Sequence, residues 1–527
     1  MGGGLTEFIP RVDAGSPVHL RRLWLDRCRY NRRSRVFARD KLAASQGKRT
    51  LTDDLDLASE RLGGSVLYAN DDFFAEKENL LEPARPVWKE HEYTDRGKWM
   101  DGWESRRKRV PGHDFAIVRL GLRGVVRGVV IDTAFFRGNF PESASLDGTS
   151  MRADAPIEQL LAAEWRPLLQ RSALQGDHEN VFAIDGREAV SHVRLNIFPD
   201  GGVARLRVHG EVVPDWRIVG GLLNEIDLAA AENGAQVLTC SDMFFGPKHN
   251  LIMPGRAHDM SDGWETKRRR GPGHDWVIVR LATEGRVRRI EVDTNHFKGN
   301  YPDTASIEGS SDGETWTELL PRTKLQAHTR HFFIDELVTD APFTHVRVNV
   351  FPDGGISRLR VWGVATEKGR RDAAVRHVNA LFSPRELVPV CASKNWAMRM
   401  FVLRPFATWE DMVDAAREIW ERLPDEDWLE AFAAHPRIGE RKPGWSRQEQ
   451  SGTRGASEET MRALAEGNRA YEEKFGFVYL VCATGKSADE MLASLHERLH
   501  HDRDQEIRTA AEEQRKIMEL RLEKMVT

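Results

Sequence analysis

The chain repeats itself over a long stretch, and this duplication restricts the fold more than any other feature of the sequence. "DGWESRRKRVPGHD", from Asp101 to Asp114, returns as "DGWETKRRRGPGHD" from Asp262 to Asp275, with ten of the fourteen positions identical and 161 residues between the two starts. "VLYANDDFFAEKENLL" from Val66 returns as "VLTCSDMFFGPKHNLI" from Val237, and "IDTAFFRGNFPESASLDG" from Ile131 as "VDTNHFKGNYPDTASIEG" from Val292. "HVRLNIFPDGGVARLRVHG" from His192 returns as "HVRVNVFPDGGISRLRVWG" from His345. Such a period is too long for a solenoid and describes two domains of about 150 residues, each able to enclose a core. Polar loop strings recur as faithfully as apolar periodicity, and packing alone gives no evident reason to keep them.

Each copy reads as β. In "HVRLNIF", Val193, Leu195 and Ile197 fall on one face and Arg194 and Asn196 on the other, the period of a half-buried strand. "FPDGG" supplies a turn, after which Leu206 and Val208 alternate with Arg205 and Arg207. Many short strands with Gly, Pro and Asp turns predict an antiparallel sandwich of jelly-roll type. The expectation is two tandem all-β jelly-roll sandwich repeats, over 51–212 and 213–368, followed by an all-α helical domain over 369–527.

Bulk properties exclude several classes. A formal charge of -4 on 527 residues gives no global attraction to nucleic acid or an acidic membrane. Cys28, Cys240, Cys391 and Cys482 are far apart and form no C-x-x-C pair, which fits a reducing compartment without a thiolate zinc site. No apolar run approaches the roughly 20 residues of a membrane-spanning helix, and the start lacks the apolar region of a secretory signal. Between Val18 and Arg49 lie eleven Lys or Arg against two Asp. That segment reads as a basic, disordered extension over 1–50, ahead of the alternatives of a nucleic-acid arm or a transit peptide.

The duplicated polar strings belong in loops at a sandwich end, where binding groups gather. Glu104, His113 and Asp114 offer acid–base or metal-ligating groups, Arg106, Arg107 and Arg109 a clamp for a carboxylate, and Asp132 ends a strand before the Gly138-Asn139 turn. Each alone reads as a cap or a surface charge; recurrence at matched loops shifts the balance towards function. "LASERLGGSVLYANDDFFAEKENLL", "DGWESRRKR", "PGHD", the DT–F–GN–P–AS pattern and the FPDGG–RLRV–G pattern resemble allantoicase, from about Leu51 to Gly363. The resemblance implies two jelly-roll repeats that hydrolyse allantoate to (S)-ureidoglycolate and urea, and it allows for a divalent metal. Candidate residues are Glu104, His113 and Asp132 in the first copy and Glu265, His274, Asp293 and His296 in the second. Where the first copy has Ala134-Phe135 the second has Asn295-His296, which favours the second if one copy alone is catalytic; a site shared between copies stays open.

After "VWGVATEKGRRDAA" the apolar period changes from two to 3.6. Thr408 and Asp411 stand in a capping-box arrangement that opens a helix with Met412, Ala416, Ile419 and Leu423 on one stripe, and Ser487 and Glu490 form another capping box. Met461, Leu464, Asn468, Tyr471 and Phe475 line another helix, and Ile507, Ala510, Gln514, Ile517 and Arg521 the last. Arg521 on that stripe reads as a snorkelling guanidinium, and His435, close after a helix, serves equally well as a C-terminal cap. "CASKNWAMRM", "WLEAFAAHPRIGE", "NRAYEEKFGFVYLVCA" and the spacing of the last helix resemble 2-oxo-4-hydroxy-4-carboxy-5-ureidoimidazoline (OHCU) decarboxylase. Carried over by position, the catalytic residues are His435, Glu449 and Arg521. The substrate contacts are Pro436, Ser446 and Gln450 with Tyr479, Leu480, Val481, Cys482 and Ala483. "HPRIG" departs from the family's "HPDLAG" and leaves His435 and Pro436 intact.

The resemblances together imply a bifunctional enzyme of urate breakdown, whose second reaction gives (S)-allantoin from OHCU with no cofactor. The alternative is a ligand-binding β-sandwich pair in which only the helical decarboxylase is active. The expected partners are small ureides, allantoate and OHCU, with no nucleic acid and no membrane, and the chain is expected to be a cytoplasmic homo-oligomer.

Overall fold

One 19-residue strand organises each β-repeat: Asp114–Asp132 in the first and Asp275–Asp293 in the second. The computed structural model describes residues 53–216, 224–435 and 457–526; the basic segment at 1–50 lies outside them. The first part of Asp114–Asp132 pairs with Ser65–Ala69 and Ala189–Phe198, the second with Glu179–Ala183 and Arg205–Val212. A register shift between Val190 and His192 separates the two parts. Glycine is needed there: a Cβ at Gly121 would lie 2.6 Å from the Leu62 carbonyl and one at Gly124 2.5 Å from the Glu211 oxygen. The second repeat copies the arrangement, with its shift between Arg280 and Gly285, so each repeat holds an eight-stranded antiparallel sheet system. Val193, Leu195, Ile197, Leu206 and Val208 are buried as their alternation predicts.

The repeats are less independent than two self-contained cores. Leu55 and Leu62, from the first repeat, belong to the apolar cluster of the second. Polar contacts tie the same segment down: Lys248 meets Asp53 at 3.2 Å, Gln236 Nε2 donates to Asp54 at 2.6 Å, and Arg61 donates to Asn250 Oδ1 at 2.8 Å.

The expected boundary near 369 falls inside a helix, Glu367–Asn379, that packs on the second repeat. Thr283 Oγ1 donates to the Gly369 carbonyl at 2.6 Å, Arg376 to the Ala282 carbonyl at 2.8 Å, and Ala373 joins the second repeat's core. The β-unit therefore continues to Phe382, and the helical unit starts at Ser383. A change of period marks where a helix begins; which core the helix joins is a tertiary matter.

In the helical unit most of the expected stripes are buried: Met412, Ala416 and Ile419 on Trp409–Glu421 with Leu423 just beyond its end, and Leu464, Asn468, Tyr471 and Phe475 on Glu458–Phe475, where Met461 is only half-buried. Thr408 accepts from the Asp411 amide as a single cap, without the reciprocal bond of a capping box, whereas Ser487 with Glu490 forms the full box. Among the described residues no helix is long and apolar enough to cross a membrane.

Two matched histidines make the β-unit acid-sensitive. Fully buried His192 shares a 2.9 Å hydrogen bond between its Nδ1 and Ser191 Oγ, and His345 Nδ1 one of 2.8 Å with Thr344 Oγ1. Burial pulls each imidazole down to about 4. A depressed folded-state value means stability that is complete above the unfolded value near 6.5 and lost as pH falls towards 4. For His192 this amounts to about 3 kcal/mol. We expect the thermal midpoint of the β-unit to fall between pH 7 and 4, and His192→Gln to flatten that dependence in melts recorded across the range.

Candidate active sites

The four residues of the DGWE string have distinct positions in the loop they form. Asp101 accepts from the Val87 amide at 2.8 Å and pairs with Arg205 Nη2 at 2.8 Å. A Cβ at Gly102 would lie 2.6 Å from the Ala204 backbone. Trp103 is fully buried and donates through Nε1 to the Asp71 carbonyl at 2.8 Å. Glu104, half-buried, accepts from Asn139 Nδ2 at 2.7 Å. The second copy repeats the set: Asp262 with Arg358 at 3.0 Å, Trp264 on the Asp242 carbonyl at 2.9 Å, and Glu265 with Asn300 at 2.5 Å. Asp262 also contacts Arg61 from the first repeat.

Arg205 and Arg358 overturn a sequence expectation. Alternation with Leu206 places Arg205 on the outward face, yet it is 2% exposed and Arg358 3%. Each guanidinium lies beneath its DGWE loop; Arg205 donates through Nε, Nη1 and Nη2, and Arg358 through Nη1 and Nη2, to carbonyls and a carboxylate. Arg106, read as a substrate clamp, is paired with Asp71 at 2.7 Å.

The PGHD strings are also largely architectural. Buried Asp114 pairs with Lys108 at 2.5 Å and accepts from Asn70 Nδ2 at 2.9 Å; Asp275 pairs with Arg269 and accepts from Ser241 Oγ at 3.0 Å. His113 packs on Phe198 with ring centroids 4.7 Å apart, and His274 on Phe351 at 4.5 Å. Both rings lie beside the FPDGG turn, and His274 Nε2 also shares a 3.3 Å hydrogen bond with Asn349 Oδ1.

Glu104 and Asp132 are brought to one loop end. The Gly202 amide donates to the Asn139 carbonyl at 2.7 Å, the Ala204 amide to the Asp132 carbonyl at 2.7 Å, and Gly202 pairs with Glu104 across a two-residue ladder. Burial raises the carboxyl pKa of Glu104 against the hydrogen bond from Asn139, and raises that of Asp132 against the one from the Ala134 amide.

In the second repeat the same loop end carries different groups. Asn295 donates its amide N–H to Asp293 Oδ1 at 2.8 Å and its side-chain Nδ2 to Oδ2 at 3.1 Å. His296 lies against His328, ring centroids 5.7 Å apart at 70°. The His296 backbone N–H donates to His328 Nδ1 at 2.8 Å, and its Nε2 bonds the Ala257 carbonyl at 3.0 Å. His328 was absent from the sequence-derived candidates. Its counterpart in the first copy is Asp177, which accepts from the Phe135 amide at 2.8 Å. Thr133 and Thr294 hold the two loops alike, each Oγ1 donating at 2.6 Å to the carbonyl of Gln175 or Gln326.

In the helical unit, half-buried His435 follows the helix Asp425–Ala433, and its amide donates to the Phe432 carbonyl at 3.1 Å. Arg521 does not snorkel. It is buried on the helix Arg503–Glu523 and donates to the Pro389 carbonyl at 3.3 Å. Nearby Cys391 has its thiol pushed up to about 12 by burial. Tyr479, Leu480, Val481 and Ala483 are buried. Arg498 donates to the Leu480 carbonyl at 2.8 Å and the Cys482 amide donates to Glu513 at 2.7 Å. Pro436, Ser446, Glu449 and Gln450 lie outside the described residues.

Among the described residues no group of three or more His, Cys, Asp or Glu is placed to hold a metal ion. Of the candidate donors in the second repeat, Glu265 bonds Asn300, Asp293 bonds Asn295 and His328 Nδ1 accepts from a backbone amide, while His296 keeps Nδ1 open but has no two further donors among the described residues converging with it. They do not fit a built divalent-metal site.

Residues 55–213 and 226–366 match the family model of the allantoicase repeat, and 383–523 that of OHCU decarboxylase. A probable allantoicase from Photobacterium profundum is 49% identical over 324 residues, covering 59% of this chain and 97% of the relative. The crystal structure of allantoicase from Saccharomyces cerevisiae is 35% identical, with a TM-score of 0.52 and coverage of 59% of this chain and 94% of that one. A crystal structure of OHCU decarboxylase in the presence of (S)-allantoin is 38% identical over 27% of this chain and 96% of that one, with a TM-score of 0.25.

Asp262→Ala leaves buried Arg358 without its carboxylate, for which a loss of about 3–5 kcal/mol is expected. Asp101→Ala is expected to be milder, because Glu82 also reaches Arg205, at 3.3 Å. Chemical unfolding followed by tryptophan fluorescence compares the two; equal midpoints would contradict the role given to the pair.

Proposed function

The chain belongs to the allantoicase family across its two β-repeats and carries an OHCU decarboxylase domain after them, and from that premise we propose how its activities divide. It is a bifunctional enzyme of urate degradation. The β-unit hydrolyses allantoate to (S)-ureidoglycolate and urea, and the helical unit decarboxylates OHCU to (S)-allantoin. Identity of 49% spread over 97% of a relative carries the hydrolase half and leaves the binding-only alternative without support.

Allantoate holds one carboxylate and two ureido groups on a single carbon. Releasing urea breaks one carbon–nitrogen bond, places the hydroxyl of water on that carbon and delivers the water's proton to the departing nitrogen. The half-buried Glu265–Asn300 pair and the Asp293–His296 turn are the groups we assign to this work, ahead of His113 and His274, which pack on phenylalanines. We route no step through a metal.

Decarboxylation needs less from the protein. The C=N bond of OHCU adjoins the carbon that loses carbon dioxide, so the bonding electrons move into the substrate itself. The enzyme orients the carboxylate, takes the hydroxyl proton and delivers a proton to one face of the neighbouring carbon. We assign proton transfer to His435 and stabilisation of developing negative charge to Arg521. Glu449 orients the imidazole or binds the hydroxyl. The Tyr479–Ala483 stretch, held by Arg498 and Glu513, forms the substrate wall, and no cofactor takes part. The free thiols of Cys240, Cys391 and Cys482 support a cytoplasmic setting, where the chain acts as a homo-oligomer.

Two assays on the full chain test the division. Urea release from allantoate reads the β-unit, and optical activity of the product reads the helical unit, because uncatalysed decay of OHCU gives a racemate. His435→Asn should lower enzymatic decarboxylation by about 10²–10⁴-fold and leave urea release unchanged. A folded variant that still makes one enantiomer at the parent rate would sink the assignment.

A further inference from the structure

The two β-repeats share a backbone at the turn after the long strand and differ in what that backbone displays. Phe135 and His296 both adopt left-handed φ, 68° and 71°, as do Asp177 and His328, 51° and 52°. In each copy the first residue's N–H donates to the second residue's side chain at 2.8 Å. The surroundings diverge. Seventeen residues separate Pro83 from Asp101 in the first copy, while seven separate Pro254 from Asp262 in the second. The longer connection carries a small hairpin, Tyr93–Thr94 with Gly97–Lys98, and lays Trp88 on Phe135 with ring centroids 5.9 Å apart. The shorter one instead brings the Ala257 carbonyl to His296.

The hydrogen bonds fix both imidazole tautomers. A carbonyl only accepts, so His296 Nε2 carries the hydrogen on the bond to Ala257 and its Nδ1 keeps the lone pair. A backbone N–H only donates, so His328 Nδ1 is the unprotonated nitrogen and Nε2 carries the hydrogen. One ring therefore offers a base and its neighbour a neutral N–H donor, on a loop end where His296 is half-buried and His328 exposed. The first copy offers a phenyl ring under a tryptophan and a carboxylate paired with Arg137 at 3.0 Å.

We propose that the hydrolytic centre lies in the second repeat alone and that His328, with His296, is a catalytic residue of it; this rests on the allantoate hydrolysis assigned above. His296 Nδ1 takes a proton from water as the oxygen bonds to the central carbon, and returns it to the ureido nitrogen as the carbon–nitrogen bond breaks. His328 Nε2–H donates a hydrogen bond to the oxygen of the departing ureido group, where negative charge develops. It transfers no proton, because a neutral imidazole would become an imidazolate. The first repeat keeps the fold and lacks both groups.

The first repeat also supplies the test, because its residues show what this backbone tolerates. His328→Asp copies Asp177, keeping the acceptor for the residue 296 amide while deleting the donor; His296→Phe copies Phe135. Asp177→Asn is the control in the first repeat. In the full-length protein His328→Asp should lower kcat for urea release by about 10²–10³-fold, the usual loss of one preorganised donor. KM should change far less. His296→Phe should lower kcat by about 10²–10⁴-fold. Asp177→Asn should match the parent, and OHCU decarboxylation by each preparation reports an intact chain. A folded His328→Asp or His296→Phe protein within about twofold of the parent would overturn the pair, as would an equal loss in Asp177→Asn. A parent that releases no urea would overturn the activity itself, a separate result from an active parent with active variants.

Discussion

Burying Arg205 and Arg358 beneath the DGWE loops is the constraint to which each β-repeat conforms. A guanidinium carries five donors in a rigid fork and cannot shed its charge, so burial demands acceptors on several sides. Arg205 finds them in the carbonyls of Ala84 and Ala204 and in Asp101; Arg358 finds them in the carbonyl of Ser357 and in the carbonyl and carboxylate of Asp262. Meeting that demand sets the loop backbone. The loop in turn seats the buried tryptophan and leaves the glutamate facing the asparagine of the next turn. A charged string can therefore be duplicated as faithfully as a core: part of it is core.

Holding the backbone fixed in this way frees the side chains above it to diverge. The turn after the long strand keeps its left-handed residues in both copies, although a phenylalanine stands where the other has a histidine. The first copy lends Leu55, Leu62 and Arg61 to its neighbour. The copies are thus unequal partners in one β-unit, and the second leans on the first for part of its core.

The helical unit meets a similar demand with a buried ionic hub. Glu506, fully buried, accepts from Tyr471, from Arg498 and from His501 Nδ1 at 2.6 Å. Arg498 spends its remaining donor on the Leu480 carbonyl. The strip from Tyr479 to Ala483 is pinned from one side by this hub and from the other by Glu513.

Much of this was legible in the sequence, because its signals are local. The alternation of Val193, Leu195 and Ile197, the stripe from Ile507 to Ile517 and the box of Ser487 and Glu490 each follow from geometry within a few residues. The duplication itself fixed the number and kinship of the β-repeats. Three matters were decided only by the tertiary structure. Arg205 turned inward because Asp101, more than a hundred residues earlier, waits beneath the strand. The helix Glu367–Asn379 joined the β-unit because Thr283 and Ala282 offer it partners that no period reveals. His328 met His296 because two loops 32 residues apart close on one another, and no motif spans that gap. Periodicity tells a chain what to form locally; which groups then meet depends on how distant segments satisfy each other's donors, acceptors and apolar surface.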